Sequence, residues 1–451
     1  MDNKARDYFI RQLNEISGML TVVDFNSDDY LGNLLSQKYI IIGKNVGLLG
    51  DGIAQFEQLL EQIWTKLHCD GIFTKEWVDK ELKDILVRIF EEGEQTNLPV
   101  FFDQLVGSIE NFAIEQNIYL PLDNIEMSGD DVLELGRVKL KKMTDTRIQD
   151  VCRAIENVIM QTANTEEEKP QIIEHLHKYS INPLRNKICA EFSCVAQSDV
   201  AGERAEEEAL RAIDLLRFAI PSIYTFLYPA EFYSPSEREK QKKKRQKSEY
   251  RTRTRVGVGL QGEVSVGIRR TVIIQTNVEA FSLPGKFVGM RPFEVSDLNR
   301  NTMEQIGALK VSAWLRQQTV TPFQDAILRS IHWFANALVQ FEIENELLNL
   351  VTSLETLLAR ESDNLMEAVG YGIAFILGNN INERKELISR YNEIYKVRSS
   401  TSHHGYRRAD EVDLIELRYL SMKIIKFAIE KSGEWEKPEE LSAWIKEKKL
   451  G

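Results

Sequence analysis

The strongest constraint on this chain lies in its C-terminal quarter, where apolar residues recur at helical spacing through successive segments joined by short breaks. Phe323 to Gln340 carries Ile327, Ile331, Phe334 and Leu338, and Ile343 to Leu358 carries Leu347, Leu350, Val351, Leu354 and Leu358. After the shorter Leu365 to Leu377, Glu383 to about Ser400 carries Leu387, Tyr391, Ile394 and Tyr395, and Asp410 to Lys431 carries Val412, Ile415, Tyr419, Met422 and Ile429. Each stripe covers one side of an amphipathic helix and must be buried against a neighbour, and short connections favour antiparallel neighbours. The pattern predicts an antiparallel helical bundle over residues 320–432, followed by a helical tail over 433–451.

Upstream the periods are mixed. Ile53 to Leu67 has Phe56, Leu59, Leu60, Ile63 and Leu67 near the helical period, whereas Tyr39 to Ile42, closed by Gly43, reads as a buried strand. Asn117 to Leu122 and Leu133 to Lys141 are further strand candidates, and Asp145 to Thr162 and Glu203 to Phe218 read as helices. Residues 1–233 therefore form an N-terminal α+β region, and the fold class is α+β, predominantly α.

Residues 234–250 break this pattern. Pro235 and Ser236 lead into a basic run without an apolar residue before Tyr250, which marks a linker or exposed insertion. From Arg238 to Arg255 there are ten Lys or Arg against two Glu, a local charge of +8 on a chain whose total is −12. A chain that acidic is no general polyanion binder, so any nucleic-acid contact must be local. Lys242, Lys243, Lys244 and Arg245 are the candidates in the run. Arg251, Arg253 and Arg255 share one face of an alternating segment that predicts a hairpin around Gln261 and Gly262. Thr271 to Ile274 would extend its second strand, and residues 251–315 are assigned to the N-terminal region.

Several classes are disfavoured. The longest uncharged stretch, Ala368 to Asn382, is shorter than the roughly 18 apolar residues a membrane span needs, and the N-terminus lacks the layout of a secretory signal. Four cysteines without a two-residue spacing fit reduced thiols rather than a zinc site. The expectation is a cytoplasmic protein with no membrane association, no cofactor and no metal. Gly257, Gly259 and Gly262 spell a dinucleotide-type pattern but no helix follows, and the glycines from Gly43 to Gly52 read as a tight turn without the ending of a phosphate-binding loop. His175 and His177 read as surface residues, and His332, beside an apolar stripe, as structural.

Chemistry concentrates at the end of the fourth stripe. Arg398 follows Tyr395 by three residues, Ile394 by four and Tyr391 by seven, so the apolar face runs into a guanidinium that needs a partner or a ligand. Glu355, four residues after Val351 and three before Leu358, is the partner candidate. His403, His404 and Gly405 come next. A continuous helix would turn position 403 about 140° from position 398, so convergence needs the helix to end near Ser402 or a second subunit to contribute. The competing reading is that Arg398 merely pairs with Glu355 while the histidines occupy an exposed turn.

The bundle, the segment LVTSLETLL, and Tyr395 to Gly405 as YKVRSSTSHHG resemble a HEPN domain, specifically the ApeA-like HEPN group of bacterial defence proteins. That family's hallmark is an arginine followed four to six residues later by histidine, commonly with a small polar residue after the arginine and glycine after the histidine. Arg398, Ser399, His404 and Gly405 match with five intervening residues, Arg398 and His403 with four, and the doubled histidine leaves the functional one open. The resemblance covers about residues 320–432, and YLPLDNIEMSGDDVLELGRVKLKKM resembles part of the region preceding this domain in ApeA-like proteins. It implies a metal-independent endoribonuclease, a regulated toxin or defence effector acting on RNA as a homodimer through the bundle. Arg398 would stabilise the scissile phosphate, His403 or His404 would move protons, Ser399 would sit beside them and Glu355 would orient the arginine. The alternatives are a non-catalytic HEPN module that dimerises or binds a partner such as a nucleotidyltransferase or another defence component, and a plain RNA-binding regulator.

Overall fold

The computed structural model describes residues 3–23, 39–43, 46–93, 97–112, 115–128, 131–162, 169–227, 253–255, 258–260, 270–274, 279–283, 288–290, 293–295, 298, 300–340, 342–360, 364–404 and 411–450. The fold is α+β and predominantly helical. The chain divides into two compact units, Met1–Ile118 with Ser193–Ala205, and Tyr119–Phe192 with Glu206–Gly451.

In the first unit, α1 (Asn3–Ser17), α2 (Asp51–Lys66), α3 (Lys75–Glu92) and α4 (Leu98–Phe112) enclose a core built on Phe9, Leu13, Phe56, Ile63, Leu82 and Phe102. The strands β1 (Leu20–Val22), β2 (Tyr39–Gly43) and β3 (Val46–Leu49) form an antiparallel sheet in the order β1–β3–β2. The glycine-rich run after the first expected strand thus holds a strand of its own, because Val46, Gly47 and Leu48 are apolar enough to be buried as the central strand between β1 and β2. Gly50, at φ 51°, then turns the chain into α2.

The second unit carries most of β4 (Glu115–Asp123), then β5 (Ile125–Glu126), β6 (Val132–Leu135), β7 (Val138–Lys142), α5 (Asp145–Thr162), α6 (Lys169–Leu176) and most of β8 (Ile188–Val195). The Leu133 to Lys141 segment is a hairpin rather than one strand. Leu135 pairs with Val138 across Gly136, at φ 61°, and Leu133 pairs with Leu140. Cross-strand partners share a face, which explains why the apolar positions 135, 138 and 140 are buried together despite an imperfect alternation. After α7 (Ser198–Leu227) come β9 (Arg253–Arg255), β10 (Gly259–Leu260), β11 (Arg270–Ile274), β12 (Glu279–Leu283), β13 (Val288–Met290) and β14 (Phe293–Glu294). A five-stranded sheet has the order β10–β4–β8–β7–β6, β9 pairs in parallel with β13, and β11 pairs with β12. The turn expected at Gln261 and Gly262 and the second arm through 269 lie outside the described residues.

The predicted bundle is present as α10 (Pro322–Val339), α11 (Ile343–Leu358), α12 (Leu365–Leu377), α13 (Ile381–His404) and α14 (Glu411–Lys431), preceded by α8 (Arg300–Gln305) and α9 (Ala308–Leu315) and followed by α15 (Pro438–Leu450). Thr321 and Gln324 cap α10 reciprocally. Ser330 of α10 and Ser353 of α11, both fully buried, each donate to the other's carbonyl oxygen at 2.8 Å. Trp435 and Trp444 pack on Phe427, tying α15 down.

The bundle does not stand alone. Arg316, just after α9, donates to the Gly136 carbonyl at 2.8 Å, the Ser312 hydroxyl accepts from the Gly136 amide at 2.9 Å, and Phe218 of α7 meets Phe334 of α10 edge-on. Gly307, at φ 80°, starts α9 so close to α14 that a Cβ would lie 2.6 Å from Ile429 Cγ2. Gly307→Ala is therefore expected to cost more than about 1 kcal/mol, from strain and overpacking together, and denaturant titration with an unchanged midpoint would contradict this packing. No described helix is long and apolar enough to cross a membrane.

Candidate functional site

The site is assembled by two bundle helices. On α11 the stripe that buries Leu354, Leu357 and Leu358 carries Glu355 half-buried at its edge, and on α13 the stripe that buries Tyr391 and Ile394 delivers Tyr395 and then Arg398. Burial raises the Glu355 carboxyl above its ordinary range, and the charge of Arg398 opposes that shift. A direct ion pair within 4.0 Å is not among the contacts of the described residues, and the Nε of Arg398 and the Oε1 of Glu355 are both buried without a hydrogen-bond partner. Arg398 instead lies over the Tyr395 ring, its Cζ 5.5 Å from the centroid.

Tyr391 adds a third orphan. Its side chain is 0% exposed, its hydroxyl has no partner, and its ring is 5.9 Å from that of Tyr395. The amide oxygen of Asn392 is a fourth. Buried polar atoms are nearly always satisfied, so a local group of unpartnered ones marks a place where a ligand, water or a partner surface belongs. The two tyrosines were legible only as stripe positions. A stripe that uses tyrosine twice just before an arginine was the available signal, because a buried tyrosine hydroxyl ordinarily finds a partner.

Burial sets the titration here. It pushes the Glu355 carboxyl up, against the Arg398 charge and the Tyr395 hydroxyl, and pushes the Tyr391 hydroxyl well up, with the Glu355 charge adding to it. The unfolded chain holds Glu355 at its ordinary value, so as pH rises the unfolded state releases this proton first. The contribution of Glu355 to stability is thus present at low pH and lost as pH rises through its folded value. Glu355→Gln is expected to raise the thermal midpoint at pH 7, with the gain fading as pH falls below about 4; a variant that melts lower than wild type at pH 7 would reverse the sign.

The backbone of Ser399 to His404 is helical, two residues past the end expected near Ser402. A continuous helix carries positions 403 and 404 about 140° and 240° around the axis from position 398. Of the two routes to convergence, the early helix end does not occur in the described backbone. The side chains of Ser399, His403 and His404 lie outside the described residues. So do Lys242, Lys243, Lys244, Arg245 and Arg251 entirely, while Arg253 and Arg255 begin and end β9.

A second arginine on α13 shows what a satisfied one looks like. Arg390, 6% exposed, donates from Nε to Glu416 at 2.6 Å, from Nη2 to Asp413 at 2.5 Å and from Nη1 to Glu393 at 3.1 Å. Arg390 is committed to holding α13 against α14, whereas the Nε of Arg398 is left over.

No family model matches this chain, and neither a curated protein nor a solved structure matches it.

Proposed function

We propose that this protein is a HEPN-type endoribonuclease that cleaves RNA through attack of the ribose 2′-hydroxyl, restrained until triggered and acting as a homodimer through its bundle. The observation that carries the reading is the half-buried Arg398 beside Glu355, its Nε without a partner, at the head of a helical segment that ends in two histidines. In the reaction the 2′-oxygen forms a bond to phosphorus as the bond to the 5′-oxygen breaks. A histidine takes the 2′-hydroxyl proton, and a second group returns one to the 5′-oxygen. Imidazole is suited to moving protons near neutrality, and guanidinium to stabilising the charge on the crowded phosphorus. The products are a 2′,3′-cyclic phosphate and a 5′-hydroxyl, and DNA, lacking the nucleophile, resists.

A two-fold pairing of bundles would bring the histidines of one chain to the arginine of the other. The basic run from Lys242 to Arg245 and the arginines of residues 251–255 would hold the RNA backbone through phosphates, a salt-sensitive contact. The test is incubation of the purified protein with total RNA and with DNA, chelator present. Loss of RNA alone is the expected result.

The helix that carries positions 403 and 404 away from position 398 favours a second reading, in which the bundle only dimerises or binds a partner. Intact RNA with a dimer in solution would select that reading.

A further inference from the structure

Tyr395 joins the two charges of the cluster on α11 and α13. Its ring lies under the Arg398 guanidinium, with Cζ 5.5 Å from the centroid, and 5.9 Å from the ring of Tyr391. Its hydroxyl hydrogen-bonds the Glu355 carboxylate. One half-buried side chain thus holds the cation through its π face and the anion through its hydroxyl. The tyrosine pair has little room to give way. Tyr391 is fully buried and backed by α12, where a Cβ added at Gly370 would meet Tyr391 Cδ1 at 3.6 Å, ordinary van der Waals contact.

The charges so held do not meet. No ion pair within 4.0 Å joins Arg398 to Glu355 among the described residues, and Arg398 Nε and Glu355 Oε1 are both buried without a hydrogen-bond partner. Left to themselves, a guanidinium and a carboxylate shielded from water pair directly. Arg390 on the same helix has done so, with Asp413 and Glu416. An anion arriving at a paired guanidinium must first displace the carboxylate. A tyrosine between the charges changes that balance: its hydroxyl satisfies a carboxylate oxygen without neutralising the arginine, and its ring attracts the guanidinium while leaving the in-plane N–H groups free.

We propose that Tyr395 is a positioning residue that holds Glu355 away from Arg398 and so keeps the arginine free for a phosphate, a role that rests on the ribonuclease reading. Tyr395→Phe keeps the ring and removes the hydroxyl. In that variant Glu355 turns to Arg398, and RNA cleavage is expected to fall at least about tenfold, the worth of one hydrogen bond to a charged group. Adding Glu355→Gln removes the competing charge and should return cleavage to within about twofold of Glu355→Gln alone. A hydroxyl that itself moved a proton, or that merely supported the fold, would give no such rescue. A second readout needs no RNA. The Arg398 Nε–H resonance of the full chain, assigned by its loss in Arg398→Ala, should exchange with solvent about tenfold more slowly in Tyr395→Phe than in wild type. In Glu355→Gln, with Tyr395 intact, the exchange rate should stay within about twofold of wild type, because the carboxylate is not paired with the arginine to begin with. Wild-type protein that leaves RNA intact would remove the ribonuclease reading, and the exchange rates would still decide whether Tyr395 keeps the two charges apart. Unchanged exchange in Tyr395→Phe, faster exchange in Glu355→Gln, or cleavage that Glu355→Gln does not restore would each overturn the assignment.

Discussion

Arg398→Ala is expected to lower the rate of RNA cleavage by at least about 10²–10³-fold, the effect of removing one preorganised donor to the developing charge of a transition state. The substitution removes the contact over the Tyr395 ring and the charge beside Glu355 but no hydrogen bond at Nε, so the chain should still fold, with a thermal midpoint lowered by no more than about 5 °C. Replacing His403 and His404 together with Ala should cost about 10²–10⁴-fold, as expected for a lost proton donor or acceptor. If the histidines act across a dimer, mixing the Arg398→Ala chain with the double-histidine variant should restore part of the activity, because some mixed dimers hold one complete set. Cleavage of RNA by purified Arg398→Ala at the wild-type rate would remove the arginine from the reaction. A mixture that stays inactive would remove the shared site.

The opposite division between activity and stability is expected at Arg390. Arg390→Met leaves Asp413, 6% exposed, and Glu416 buried beside an apolar side chain in place of their shared cation. Breaking such a buried pair costs about 3–5 kcal/mol. For a domain of this size that is roughly 10 °C in the thermal midpoint. A variant as stable as wild type at pH 7 would show that the α13–α14 contact does not depend on this arginine.

The two arginines also show the reach of sequence reasoning. Arg390 stands three residues after Leu387 and four before Ile394, so the spacing that singled out Arg398 applies to it equally. Spacing locates a cation on a buried face. It says nothing about which carboxylates another helix will bring, and Asp413 and Glu416 belong to α14. Glu355 was found because it interrupts its own stripe, yet its distance from Arg398 depended on how far α11 and α13 stand apart. His332 read as a structural residue, and its partner Asp214, 118 positions earlier, could not be inferred from either local pattern.

The helices of the bundle were determined by the sequence alone, to within about two residues for most ends, because a stripe of Ile, Leu, Val and Phe at helical period has only one way to be buried. So were the buried faces and the position of Arg398 at the end of one of them. The Leu133 to Lys141 hairpin was nearly legible, since only Gly136 had to be recognised as a turn. Tertiary structure alone decided that Arg390 is neutralised while the Nε of Arg398 is not, and that the bundle shares a unit with residues 119–192 and 206–227. It also decided that a histidine, two aspartates and two arginines from two helices line one cavity. Periodicity is a property of a single element and survives in the sequence; charge pairing and cavities are properties of the spaces between elements, which only the packed chain defines.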